Sequence, residues 1–207
     1  RFRVQCGIRL QINGVALFQP GRDFLNPVVA GFVVRHVGVE TRCACRYAES
    51  KQYGGGTDQF FHRNTFSVWI ENAEGELIKT LYVSDFTANG GYARRKDCVP
   101  TWVAHAHPAQ MSTDELDAVS GATPRSGQHS YTWNGKDEHG NAVADGEYRI
   151  YVEGTLYWSS TVLYSGVVRW GGDSQTIRLK PAFSEEAATN RNMITVVMAE
   201  YAVIPAK

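Results

Sequence analysis

The chain has 207 residues, 43% of them apolar and 12% aromatic, which is enough for one good hydrophobic core and short for two. Lys plus Arg and Asp plus Glu both number 21, so the formal net charge is zero and the basic excess of a dedicated nucleic-acid binder is missing. No apolar run reaches the length of about 18 residues that a transmembrane helix needs, and the composition is not that of a disordered chain.

The N-terminal third carries few readable signals. It opens on Arg1-Phe2-Arg3 with no initiator Met and no leader pattern, which implies that a leader was removed or never included. Cys6, Cys43, Cys45 and Cys98 make an even count. That suits one or two disulfides in an oxidising compartment, with three pairings open. Cys43 and Cys45 would share a face of a strand, so they pair elsewhere or stay reduced rather than pair with each other. The C-x2-C spacing of a zinc site is absent. Residues 28–39 are β-branched enough for one or two strands, and Gly54-Gly55-Gly56 reads as a joint. We therefore divide the chain into residues 1–56, N-terminal strands or an extension, and residues 57–207, a β-sandwich domain.

From there strand signals recur and turn signals cut them at short intervals. Phe66, Val68 and Ile70 alternate with Ser67 and Trp69, Glu74-Gly75 turns, and residues 77–83 return, which predicts a β-hairpin. Ser112-Thr113-Asp114-Glu115 is a capping box that opens one short helix, with Leu116 and Val119 on one side and Gly121 at its end. Residues 130–133 and 147–154 predict a second hairpin around the polar loop 134–141, with Gly146 allowing unusual torsion or close approach. Further strands are expected at 162–170, 176–179 and 193–203, and another helical turn at 184–188. The fold class is all-β, an antiparallel immunoglobulin-like sandwich with one short helix.

Three segments could carry chemistry. His105 and His107, read as a strand, would face the same way as metal ligands often do, with Asp114 or Cys98 as a third ligand; exposed histidines at a loop end are the plainer account. Tyr157, Trp158, Tyr164 and Trp170 could stack on a flavin ring or a sugar, or simply fill a sandwich core. The sharpest signal is Asp117-Ala118-Val119-Ser120-Gly121-Ala122-Thr123. Its small residues permit close backbone approach, Pro124 biases Thr123 toward extended backbone, and Arg125 could pair with a phosphate. SGATP also serves as an ordinary connecting turn between helix and strand.

Two resemblances attach to these residues. The spacing of Trp133, Gly135, Asp137, Gly140, Val143, Gly146 and Tyr148 resembles the immunoglobulin-like domain of flagellar hook-capping proteins, which speaks to fold and little to function. Its acidic loop could be read as a calcium site, although Lys136 stands where a carboxylate is wanted and plain turn chemistry explains it. The segment DAVSGAT is similar to the D-x-x-[ST]-G-A-[ST] acceptor of proteins that carry covalent FMN, attached by an extracytoplasmic flavin transferase of the ApbE type. Together the two look like a family of predicted periplasmic proteins of unknown function, over roughly residues 61–172, associated with flavin transferases and PepSY-type membrane redox proteins. That resemblance implies a periplasmic or otherwise extracytoplasmic sandwich that carries or serves FMN in electron transfer. Thr123 would bear the phosphoester, and Asp117, Ser120, Gly121, Ala122 and Arg125 would form its setting. The cofactor would then do the redox chemistry, so the chain would be a carrier rather than a catalyst with its own acid–base residues. The other class of function open to the sequence is a structural or binding module without cofactor.

Overall fold

The computed structural model describes residues 5–13, 65–122, 128–157, 160–184, 194 and 196–204. Residues 28–39, the Gly54–56 joint, Cys43, Cys45 and most of the expected turn at 184–188 lie outside them.

Among the described residues, ten strands form two sheets. The chain runs β1 (Gln5–Asn13), β2 (Thr65–Asn72), β3 (Leu77–Ser84), β4 (Ser120–Gly121), β5 (His129–Trp133), β6 (Gly146–Tyr157), β7 (Ser160–Trp170), β8 (Gln175–Arg178), β9 (Lys180–Phe183) and β10 (Val196–Ile204). One sheet has the order β5-β1-β10-β8 and the other β4-β3-β2-β6-β7-β9. Neighbours pair antiparallel except β3 and β4, which are parallel. The antiparallel sandwich expected from the sequence is thus present, with one short parallel edge. β1 pairs with both β5 and β10, so residues 5–13 belong to the sandwich.

The predicted first hairpin is β2–β3, closed at Gly75 by a bond from its N–H to the Asn72 carbonyl (3.2 Å). Its alternation has a consequence that period-2 reasoning alone does not give. Phe66, Val68 and Ile70 face the second sheet and join Ile150, Val152, Tyr164, Val168, Val197 and Tyr201 in the main core. Ser67, Trp69 and Glu71 face the other way and are equally buried, because residues 86–119 form a third layer over that face. This cap contains an irregular turn at Thr87–Gly91, then α1 (Tyr92–Arg94), α2 (Pro100–Ala106), a single turn at Pro108–Gln110, and α3 (Thr113–Val119). Trp69, Val83, Val99, Trp102 and Val119 make its own small core.

The expected second hairpin is corrected. β5 and β6 do not pair: β5 is an edge of the four-stranded sheet and β6 is central in the six-stranded one. Only the loop between them is hairpin-like, held by Val143 N–H to the Gly135 carbonyl (2.9 Å) and Asp137 N–H to the Asn141 carbonyl (2.9 Å). The chain arches between layers because Trp133 is drawn into the core, against Trp170 (4.7 Å between ring centroids) and Tyr148 (5.2 Å). The Trp133 indole N–H donates to the Lys136 carbonyl at 2.8 Å, so the buried ring keeps its polar atom satisfied. Asp137 closes the loop by accepting from His139 N–H and Asn141 N–H, which is turn chemistry. Gly146 needs no special torsion and leaves room for a side chain.

The glycine that matters is Gly135. Its φ is +71°, and a Cβ there would lie 1.9 Å from the Trp170 ring. Gly140 has a similar φ of +82° but faces open space. Gly140→Ala should therefore cost only the left-handed backbone term, about 1–2 kcal/mol. Gly135→Ala adds overpacking of the Trp133–Trp170 contact, a further cost of roughly 1–3 kcal/mol. Urea unfolding of the two variants checks this, and equal losses would contradict the arch packing.

Candidate functional site

The capping box forms as expected. Ser112 Oγ accepts from Glu115 N–H (3.3 Å), and Glu115 Oε2 accepts from Ser112 N–H (2.7 Å). The bond from the Ser112 N–H first, and then one from the Ser112 hydroxyl (2.7 Å), hold the Glu115 carboxyl below its ordinary range. α3 ends at Val119, whose side chain is buried in the cap core, while Asp117 and Ala118 are exposed. The next two residues leave the helix as β4 and pair with β3, Ser120 opposite Val83 and Gly121 opposite Ser84. β4 is the outermost strand of its sheet.

Tyr82 of β3 holds this edge. Its hydroxyl lies 3.0 Å from the Gly121 carbonyl oxygen and 2.5 Å from that of Ala122. A Cβ on Gly121 would meet the Tyr82 ring at 2.9 Å, so glycine is what lets the strand lie this close. The ring is flanked by Phe66 of β2 (6.1 Å) and Tyr131 of β5 (5.3 Å). Asp117, Ser120, Gly121 and Ala122 therefore sit together at the junction of cap and sheet, with Ala122 exposed. Thr123 and Arg125 lie outside the described residues, between Ala122 and the start of β5.

The histidine pair is not on a strand. His105 lies in α2, and His107 follows its end with a left-handed φ of +48°. A helix formed here because its first-turn amides find partners that local sequence does not supply. Pro100 has no N–H, Val103 N–H bonds to the Val99 carbonyl (3.1 Å), and Glu153 of β6 takes the other two, from Thr101 (3.1 Å) and Trp102 (2.9 Å). At the other end of α2, His105 Nδ1 lies 2.5 Å from Glu71 Oε1, which also accepts from the Trp69 indole N–H (2.7 Å). Trp69 in turn stacks on Tyr151 (5.0 Å). Among the described residues, no three His, Cys, Asp or Glu side chains converge as metal ligands do.

These two buried carboxylates were not picked out by sequence motifs. Glu153 is buried, and desolvation pushes its carboxyl above the ordinary range against the bonds from Trp102 and Thr101. Cys98, just before α2, is a free, buried thiol, and burial pushes it up to about 11. Of the four aromatics considered as a stacking platform, Tyr164 and Trp170 are core, with Tyr164 donating to the Ile194 carbonyl (2.7 Å). Trp158 lies outside the described residues, as does the side chain of Tyr157.

Residues 55–185, more than half of the chain, match the model of a family described as predicted periplasmic protein (DUF2271). The chain belongs to this family. Its periplasmic location is the one expected from the sequence, and the matched span takes in β2 through β9, with the whole cap and its junction with β4. No curated protein and no solved structure gives a significant match. Among the described residues, no helix is long and apolar enough to cross a membrane.

Two measurements follow from the buried groups. A glutamate whose folded pKa is raised binds its proton more tightly folded than unfolded, so stability falls as pH rises from the ordinary value of 4.5 through the folded value, then levels. Wild type should lose stability relative to Glu153→Gln over that window, read by urea unfolding from pH 4 to 8; a rising or flat difference would contradict it. With Cys6, Cys43 and Cys45 replaced by serine, Cys98 should resist a maleimide at pH 8 until the chain is unfolded.

Proposed function

We propose that this protein is a periplasmic carrier of covalent FMN, attached through a phosphoester to Thr123. The observation that carries the proposal is the placing of Ser120-Gly121, the centre of DAVSGAT, on the outermost strand of the sheet. An acceptor hydroxyl must enter another enzyme's active site, and an edge strand followed by exposed Ala122 suits that better than a buried turn. Small side chains on the approach, Gly121 and Ala122, also fit the close passage of a second protein.

In the attachment step, Thr123 Oγ forms a bond to the FMN phosphorus of a flavin dinucleotide. The pyrophosphate P–O bond breaks, the nucleoside monophosphate leaves and the hydroxyl proton is released to solvent. The flavin supplies one- and two-electron redox chemistry when bound. The chain's own part is to present the hydroxyl, to hold the neighbouring backbone and to offer Arg125 as a charged partner for the phosphate. A flavin transferase is the required partner, and a membrane redox protein is the fitting donor or acceptor of electrons.

The test is intact mass after co-expression of the exported chain with a flavin transferase. A gain of FMN less water, mapped to the peptide containing Thr123 and absent in Thr123→Ala, is the expected result. An unchanged mass, with a known acceptor domain modified in parallel, would overturn the proposal and leave a sandwich module without cofactor.

A further inference from the structure

We infer that Tyr82 is the residue that positions the acceptor; the inference rests on the assignment of Thr123 as the flavin attachment point. Tyr82 is 40 residues from Ala122 in sequence, and it is the side chain whose hydroxyl reaches the Ala122 carbonyl, at 2.5 Å. That carbonyl belongs to the same planar peptide unit as the nitrogen of Thr123. A bond to it therefore fixes the plane from which the acceptor residue departs. The second contact, 3.0 Å to the Gly121 carbonyl, ties down the preceding peptide unit as well. A hydroxyl has one proton, so the two carbonyls share it.

The tyrosine can do this because its own position is set from three strands. Its ring leans on Phe66, which is buried in the main core, and on Tyr131, which comes from the opposite sheet. Phe66 and Tyr131 also approach each other at 6.1 Å, so the three rings close the edge of the sandwich beside β4. Toward β4 the ring fills the space where a Cβ of residue 121 would be. The glycine of the acceptor segment thus has a reason internal to this fold: any larger residue displaces the ring whose hydroxyl holds the carbonyls of Gly121 and Ala122. Restraining the backbone up to Ala122 reduces the ordering cost when the transferase binds this segment.

Tyr82→Phe keeps the ring and removes the hydroxyl. The experiment measures the initial rate of FMN attachment to the full chain by intact mass, with purified flavin transferase and flavin dinucleotide, alongside the melting temperature. The rate should fall roughly fivefold, the worth of one ordinary hydrogen bond, while modification still reaches completion. Gly121→Ala should slow attachment similarly, and the double variant should be little slower than either single one, because both act through one contact. Val168→Ala, remote in the main core, serves as a variant destabilised without touching the edge. Attachment to Tyr82→Phe at the wild-type rate would overturn the inference. So would slowing by Val168→Ala to the same extent, which would make the effect one of stability alone. If wild type itself is not modified while a control acceptor is, the assignment of Thr123 fails and Tyr82 is not the cause. Should Tyr82→Phe fold poorly, Gly121→Ala carries the same comparison.

Discussion

Strand β2 has no solvent face, and most of the molecule follows from that. In an ordinary two-layer sandwich one side of each strand meets the core and the other meets water. Here seven of the eight β2 residues are buried, which needs a layer on each side. The four-stranded sheet covers the side of Phe66, Val68 and Ile70, and residues 86–119 cover the side of Ser67, Trp69 and Glu71. Without the cap, Trp69 and Val83 would face water, an exposed apolar surface of a kind that invites association.

The cap is made of pieces too short to be stable helices by themselves, so tertiary contacts must hold it. Two carboxylates supply some of the polar ones. Glu153 takes the free amides at the start of α2, where a negative charge also suits the helix dipole, and Glu71 takes His105 near its end. Trp102 adds an indole bond to Thr80 Oγ1 (3.2 Å). Val99, a β-branched residue held at a left-handed φ of +39°, marks how firmly this join is determined. Glu153, Glu71 and His105 thus fasten one helix on one sheet.

Where signals were local, they were legible. The β2–β3 alternation and the Ser112–Glu115 capping box involve residues close in sequence, and both form as the pattern requires. α2 was not legible, because the group that satisfies its first amides is 51 residues away and the residue at its cap position is a valine. Its apolar Trp102-Val103 start resembles a strand for the same reason. The β5–β6 segment misled differently. Its turn residues do make a tight loop, but Trp133, Tyr148 and Trp170 decide which sheet each flank joins, and that is a matter of core packing rather than turn chemistry. At the site, the acceptor-like segment could be read in the chain, whereas Tyr82 could not, since nothing in a lone Leu-Tyr-Val run points to a partner 39 residues on.

The same layering explains why the segment DAVSGAT lies where it does. α3 is the last element of the cap, and Val119 must be buried under it while the chain returns to the sheet. The return needs two things at once: small residues, so that the strand can approach β3 past the Tyr82 ring, and an outermost position, because among the described residues β3 has no other neighbour on that side. Beyond Ala122 the chain passes to β5, which belongs to the opposite sheet. Ala122, the last described residue before that passage, therefore lies where cap and six-stranded sheet meet, on a backbone that Tyr82 restrains. The proposed attachment of FMN draws on such a setting. Ser120 and Gly121 are tied to the cap through α3 and to the sheet through β3 and Tyr82, yet they lie on the outermost described strand, with Ala122 exposed beyond them. Restraint comes from the folded layers and access from the sheet edge, and the junction after Gly121 combines the two.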